Sequence, residues 1–170
     1  RMVHTLVLEP ERFDALYYVM ETGCDLRTKD GKAAWADAEL AANGREIIRL
    51  CDIADIRAMA AAVNEMPLFS YLKTGCIEHS LFWNDGIYDT RLRSRPDLYT
   101  DDFIVDLKTT VSIPDFERSI KNFGYHRQAA MQLDGLHKLT GKHRVFGFLV
   151  VETKAPFLTK LISLDQDYLE

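Results

Sequence analysis

Two runs of this chain bring carboxylates and an amine within chemical reach of one another: Arg95-Pro96-Asp97 and, nine positions on, Asp106-Leu107-Lys108. Side chains alternate along an extended strand, so Asp106 and Lys108 share a face with Ile104, while Val105 and Leu107 point the other way. The expectation is one core face and one chemical face. By the same parity Arg91, Arg93, Arg95 and Asp97 share a face of the preceding strand, and a hairpin pairing the two strands sets Asp97 beside Asp106. Two carboxylates offer the hard oxygen donors that Mg²⁺ or Mn²⁺ prefers, with positions left for water and a phosphate oxygen. A lysine beside them can orient or deprotonate a water and offset developing negative charge. The chemistry this trio suits is phosphodiester hydrolysis, leaving a 5′-phosphate and a 3′-hydroxyl. An acid-x-lysine tripeptide alone is weak grounds, because Glu152-Thr153-Lys154 is a second copy in the same chain. That copy lacks an upstream Pro-Asp hairpin and reads as a solvated strand end.

The elements that must position these residues are legible in outline. Apolar positions from Met2 to Val7 predict the last turns of a helix stopped near Glu9-Pro10. Gly31 to Asn43 is alanine-rich and predicts a helix stopped by Gly44; Ile53, Ile56, Met59, Ala60 and Val63 recur at helical spacing in another, capped by Asp52 and ended by Pro67. From Cys76 the pattern turns to strand. Ile77 to Trp83, Tyr88 to Arg95 and Phe103 to Thr109 predict a three-stranded meander, with turns at Asn84-Asp85-Gly86 and around Leu98 to Asp102. Pro114 then opens a long helix to about Leu139, bent at Gly124. Val145 to Val151 is a strand covered on both faces, and Lys160 to Leu164 is its edge partner.

The 170 residues, 47% hydrophobic and 28% charged, suit one globular domain, 1–170. No apolar run is long enough to span a bilayer and no secretory pattern opens the chain, so the expectation is an intracellular, cytoplasmic protein without a membrane partner. Cys24, Cys51 and Cys76 are odd in number and dispersed, which argues for reduced, mostly buried thiols. The net charge of −5 ordinarily counts against nucleic acid, yet Arg118 to Arg144 holds six lysines and arginines against one acid, Asp134. A local basic lane of that kind can hold DNA on an acidic protein.

Motifs in order along most of the chain carry a resemblance. They are Val3-His4-Thr5-Leu6-Val7-Leu8-Glu9-Pro10-Glu11-Arg12-Phe13, Thr28-Lys29-Asp30-Gly31-Lys32-Ala33-Ala34-Trp35, Ile77-Glu78-His79-Ser80-Leu81-Phe82-Trp83, Arg95-Pro96-Asp97, Val105-Asp106-Leu107-Lys108-Thr109-Thr110 and Gly124-Tyr125-His126-Arg127-Gln128-Ala129-Ala130. With these the sequence resembles the PD-(D/E)XK nuclease superfamily and, within it, the exonuclease VIII (RecE-type) catalytic domain of phage and prophage. The resemblance implies a restriction-endonuclease-like α/β fold: a mixed central sheet flanked by helices. It also implies a Mg²⁺-dependent exonuclease (Mn²⁺ being the alternative) that degrades linear double-stranded DNA 5′ to 3′ in phage-type recombination, in the bacterial cytoplasm.

By position, the resemblance assigns His4, Asp97 and Asp106 to the metal. Glu78 becomes the acid of the first motif, Lys108 the catalytic lysine, and Tyr125 and Gln128 substrate contacts on one helix face. Arg91 and Arg93 are candidates for backbone phosphate, with Arg27, Lys29, Lys32, Lys121 and Arg127 as weaker ones. A homotetrameric ring and a single-strand annealing partner are further implications. The family domain continues before His4 and after the last strand, so the chain reads as truncated at both ends. Three dispersed cysteines disfavour the related branch whose four cysteines hold an iron-sulfur cluster. The alternatives are a catalytically inactive DNA-binding domain and a CRISPR-associated or structure-specific nuclease of the same superfamily.

Overall fold

A computed structural model describes residues 1–21 and 25–164; Cys24 lies outside them. The backbone gathers into two compact units, Arg1–Ala61 and the remainder from Ala62.

In the first unit, α1 (Met2–Leu8) buries Val3, Val7 and Leu8 and ends at Glu9 before Pro10. Proline lacks the N–H that a continuing helix would need. A 3₁₀ turn (Pro10–Arg12) and the short α2 (Phe13–Leu16) lead into β1 (Tyr17–Val19). Next, α3 (Lys29–Ala42) is capped by Thr28, whose hydroxyl accepts the Gly31 N–H at 2.9 Å. Its stop is Asn43 in the left-handed region, φ +48°, one residue before the expected Gly44. β2 (Glu46–Ile48) pairs parallel with β1, a strand pair too short to show a periodic pattern in the sequence. α4 (Leu50–Asn64) then runs on into the second unit, burying Ile53, Ile56, Met59, Ala60 and Val63. Asp52 lies inside its first turn, paired with Arg49 at 2.7 Å, and does not form the cap.

In the second unit Pro67 opens a helix, α5 (Pro67–Leu72), where a first-turn proline costs no hydrogen bond. The strands follow: β3 (Cys76–Ile77), β4 (Leu81–Asn84), β5 (Arg91–Ser94), β6 (Leu98–Tyr99) and β7 (Phe103–Thr110). Two helices, α6 (Phe116–Asn122) and α7 (Tyr125–Thr140), precede β8 (Val145–Glu152) and β9 (Thr159–Ser163). The main sheet has the order β3-β6-β7-β8-β9, mixed because β7 and β8 are parallel and the other pairs antiparallel.

The expected meander is corrected. β4 and β5 form a separate two-stranded hairpin, and it is the two-residue β6 that pairs with β7. Pro96 has no N–H to offer a ladder, and the strand breaks there. The expected long helix is likewise two helices, because Gly124 takes φ +65° between them. Cys51 and Cys76 are exposed, against the expectation of buried thiols.

The core lies between the sheet and α6–α7. Ile104, Phe146, Phe148 and Val150 from the sheet meet Phe116, Ile120, Ala129 and Leu136 from the helices. Leu81 and Trp83 join them from the hairpin, and the indole packs so closely over Gly135 that a Cβ there would stand 2.7 Å from it.

Candidate active site

Strand β7 carries Asp106 and Lys108 on the same face as Ile104, as alternation predicts, but that face is no purely chemical one. It lies under α7 and is continuous with the core: in the parallel register Ile104 matches Phe146, Asp106 matches Phe148 and Lys108 matches Val150. Burial grades along it from Ile104 through Asp106, 1% exposed, to the half-buried Lys108. Val105 and Leu107, on the other face, are buried as well. A carboxylate so deep requires compensation. Gln128 of α7 donates from Nε2 to Asp106 Oδ1 at 2.6 Å, and Lys108 Nζ lies against Asp106 Oδ2. The ammonium is held in turn 4.7 Å from the centre of the Tyr125 ring, which itself packs on Phe148 and Phe116. Tyr125 and Gln128, three apart on one helix face, therefore hold the lysine and the acid from above.

The antiparallel pairing of Leu98 with Val105 sets Asp97 across from Asp106. The Asp97 carboxylate turns onto the neighbouring strand and accepts the Leu107 N–H at 2.7 Å through Oδ2. Its backbone carbonyl accepts the N–H of Glu78 at 2.9 Å. Glu78 follows β3 with φ +52°, a conformation that non-glycine residues adopt at a cost and that tends to collect at functional sites. Arg95 fixes it there, with Nε 2.8 Å from the Glu78 carbonyl and 2.7 Å from Oε2 of its carboxylate. Arg95 is the residue that sequence reasoning missed. The pair is 17 positions apart and no local pattern announces it.

Glu78, Asp97, Asp106, Lys108, Tyr125 and Gln128 thus form one connected set in the second unit. Arg91 and Arg93 do not join it: they are exposed on the hairpin face opposite Leu81 and Trp83. His4 is half-buried on α1 of the first unit. The basic lane is largely matched by acids, with Arg118 near Asp115, Lys121 near Glu117, Lys138 near Asp134, and Lys142 and Arg144 near Asp101. Arg27 is likewise paired with Asp25. The second acid-x-lysine copy has a structural role in place of the expected solvated end, since Glu152 accepts the Ile113 N–H at 2.9 Å. A cavity of about 500 Å³ lined by His137, His143 and Phe146 lies toward the far end of α7, roughly twelve residues from Tyr125.

Among the described residues no three histidine, cysteine or acidic side chains are grouped as ligands for a metal ion. The donor set at the site nevertheless fits one cation type. Two carboxylates on adjoining strands suit Mg²⁺, which is commonly held by one or two carboxylates with waters and substrate phosphate completing the octahedron.

The mixed central sheet flanked by helices is the architecture of the PD-(D/E)XK fold. Residues 1–170 match the family described as "PDDEXK-like domain of unknown function (DUF3799)", and the chain belongs to that family. A similar solved structure is that of a Eubacterium rectale protein titled "Putative exonuclease", with a TM-score of 0.63 at 16% identity. The match covers 81% of this chain and 56% of that one, so this chain spans little more than half its length. No curated protein matches. Among the described residues no helix is long and apolar enough to cross a membrane.

Proposed function

We propose that the chain is a metal-dependent nuclease hydrolysing phosphodiester bonds of linear double-stranded DNA. The observation that carries the reading is the buried Asp106 carboxylate held between Lys108 and Gln128, with Asp97 across the strand pair. Burying that carboxylate beside the half-buried lysine costs desolvation that apolar side chains of similar volume would avoid, which favours a functional reason for keeping the pair. The family's PDDEXK-like description and the exonuclease title of the structural neighbour support the same class.

Asp97 and Asp106 hold a divalent cation, Mg²⁺ or Mn²⁺. Such a cation polarises the phosphate and makes a bound water more acidic. Lys108 orients the attacking water and neutralises charge on the phosphate oxygens; its attachment to Tyr125 keeps the ammonium over the acids without a second counter-ion. Glu78 lines the site through Arg95, and Gln128 fixes the orientation of Asp106. By the resemblance, Tyr125 and Gln128 contact a substrate strand, and Arg91 and Arg93 its phosphates. The 5′ to 3′ polarity, the 5′-phosphate product, a tetrameric ring, an annealing partner, a recombination role and a cytoplasmic setting in a phage-bearing bacterium belong to the exonuclease VIII resemblance and complete the proposal.

The decisive experiment follows nucleotide release from blunt linear duplex with Mg²⁺ and with a chelator, alongside a closed circular duplex. Release from linear DNA alone, stopped by the chelator, is the expected result. Cutting of the circle points to an endonuclease of the same superfamily. No release at all, with DNA still bound, identifies a catalytically inactive binding domain and sinks the enzyme reading.

A further inference from the structure

The β4–β5 hairpin has two unlike faces. One buries Leu81 and Trp83 against α7. The other carries Phe82, 48% exposed, paired in register with Arg93 and stacked under Arg91, whose guanidinium carbon is 5.4 Å from the ring centre. At the tip Ile87 and Tyr88 are 82% and 78% exposed. The tip also carries two acids, Asp85, whose Oδ1 accepts the Ile87 N–H at 3.2 Å, and the exposed Asp89, so the positive charge of this face lies with Arg91 and Arg93 down the strand. No other strand of the described residues pairs with the hairpin.

We infer that this outer face is a docking platform for unpaired, single-stranded DNA: bases stack on Phe82 and Tyr88 while Arg91 and Arg93 hold the phosphates. The inference deepens the nuclease reading and rests on it for the choice of DNA. Aromatic rings beside arginines are the combination by which proteins bind single strands without regard to sequence, and ring faces are useless against bases already stacked in a duplex; a base reaching Phe82 takes the place of the Arg91 guanidinium, which moves to the phosphate. The positive charge of the paired arginines complements a phosphate backbone and opposes a basic partner surface. The location is apt as well. From Arg91 the chain leads through Arg93 and Arg95 to Asp97 in six residues, roughly 20 Å if extended, so a strand lying along the hairpin is led toward the acids.

The test is equilibrium binding, in chelator so that nothing is hydrolysed, of a labelled oligothymidylate and of an abasic oligomer of equal length and charge. Phe82→Ala is expected to weaken oligothymidylate binding on the order of tenfold and leave the abasic oligomer unchanged, with Phe82→Trp restoring it. Arg91→Ala/Arg93→Ala is expected to weaken both oligomers and flatten the salt dependence. Tyr88→Ala, at a fully exposed tip, repeats the stacking test without touching the fold. Equal affinity of wild type, Phe82→Ala and Tyr88→Ala for oligothymidylate overturns the inference. So does failure of the wild type to bind it, which would leave the face to a protein partner. The nuclease reading fails separately, on nucleotide release with Mg²⁺, and its failure leaves these binding results standing.

Discussion

Asp97 reaches across from the end of one strand to accept the backbone N–H of Leu107 on the next, at 2.7 Å. The same side chain thus closes the sheet and supplies a carboxylate beside Asp106. The two duties separate by substitution. Asp97→Asn keeps an acceptor for Leu107 and is expected to retain the melting temperature while losing divalent-metal affinity in calorimetry. Asp97→Ala loses both, at about 1–3 kcal/mol in denaturant unfolding for the orphaned N–H. Equal stability of the two variants would show that the bond contributes nothing.

Lys108 and Asp106 form a largely buried pair, so removing the amine strips the acid of its counter-charge. Lys108→Ala is expected to abolish nucleotide release, by two orders of magnitude or more for a lost electrostatic stabiliser, roughly the scale of other such deletions. DNA affinity should remain near that of the wild type. Because Asp106 remains at 1% exposure without that ammonium, the variant should also unfold more easily, by about 3–5 kcal/mol at most, since Gln128 still donates to the carboxylate. A double variant that also carries Asp106→Asn should recover much of that stability and none of the activity. Retained turnover in Lys108→Ala refutes the catalytic assignment.

Gln128 acts through Asp106. Gln128→Leu is expected to reduce activity and Mn²⁺ affinity together, with Gln128→Glu failing to rescue either because a second carboxylate would face the first. A loss of activity with metal affinity unchanged would assign Gln128 to the substrate strand alone.

Gly135 admits the Trp83 indole because it has no side chain. Gly135→Ala should therefore lower stability by about 1–3 kcal/mol despite its better helix propensity, since the ring is confined in the core. A stabilised variant would mean that the hairpin repacks freely.

Tyr99 faces Cys76 across the β3–β6 pair and meets His79 Nδ1 at 3.2 Å. Burial, with help from the bond to Cys76, pushes its phenol up to about 12. The folded chain then keeps this proton where the unfolded chain has released it. Stability should be unaffected below about pH 10 and should fall as pH rises from there toward 12. Tyr99→Phe removes that share of the decline, which pH-jump or titrated denaturant curves would reveal.

The site was more legible in the sequence than the strands that carry it. Alternation alone puts Asp106 and Lys108 on one face, and a strand reversal between Asp97 and Asp106 is almost forced by a separation of only nine positions. What pattern reading assigns wrongly is the partner strand. Tyr88 to Arg95 looks like a strand beside β7, whereas the pairing falls to Leu98–Tyr99, two residues that carry no periodicity. Burial of the chemical face was hidden for a similar reason: a helix lies over it, and nothing local records what an amphipathic helix will cover. The Glu78–Arg95 ion pair depends on a left-handed backbone at Glu78, a tertiary effect that side-chain type does not announce. Gln128 could be placed on the right helix, yet its hydrogen bond to Asp106 exists only once the sheet has formed.

The two acids stand on footings of very different strength. Asp106 belongs to a strand of eight residues, each matched with one on β8, while Asp97 is moored by a strand of only two. Thermal breathing will therefore loosen Asp97 long before it disturbs Asp106, and amide protons of Leu98 and Tyr99 should exchange with deuterium well ahead of those from Val105 to Lys108. Such an arrangement works as a jaw with one fixed and one yielding side, and the yielding side is where a cation would enter and leave.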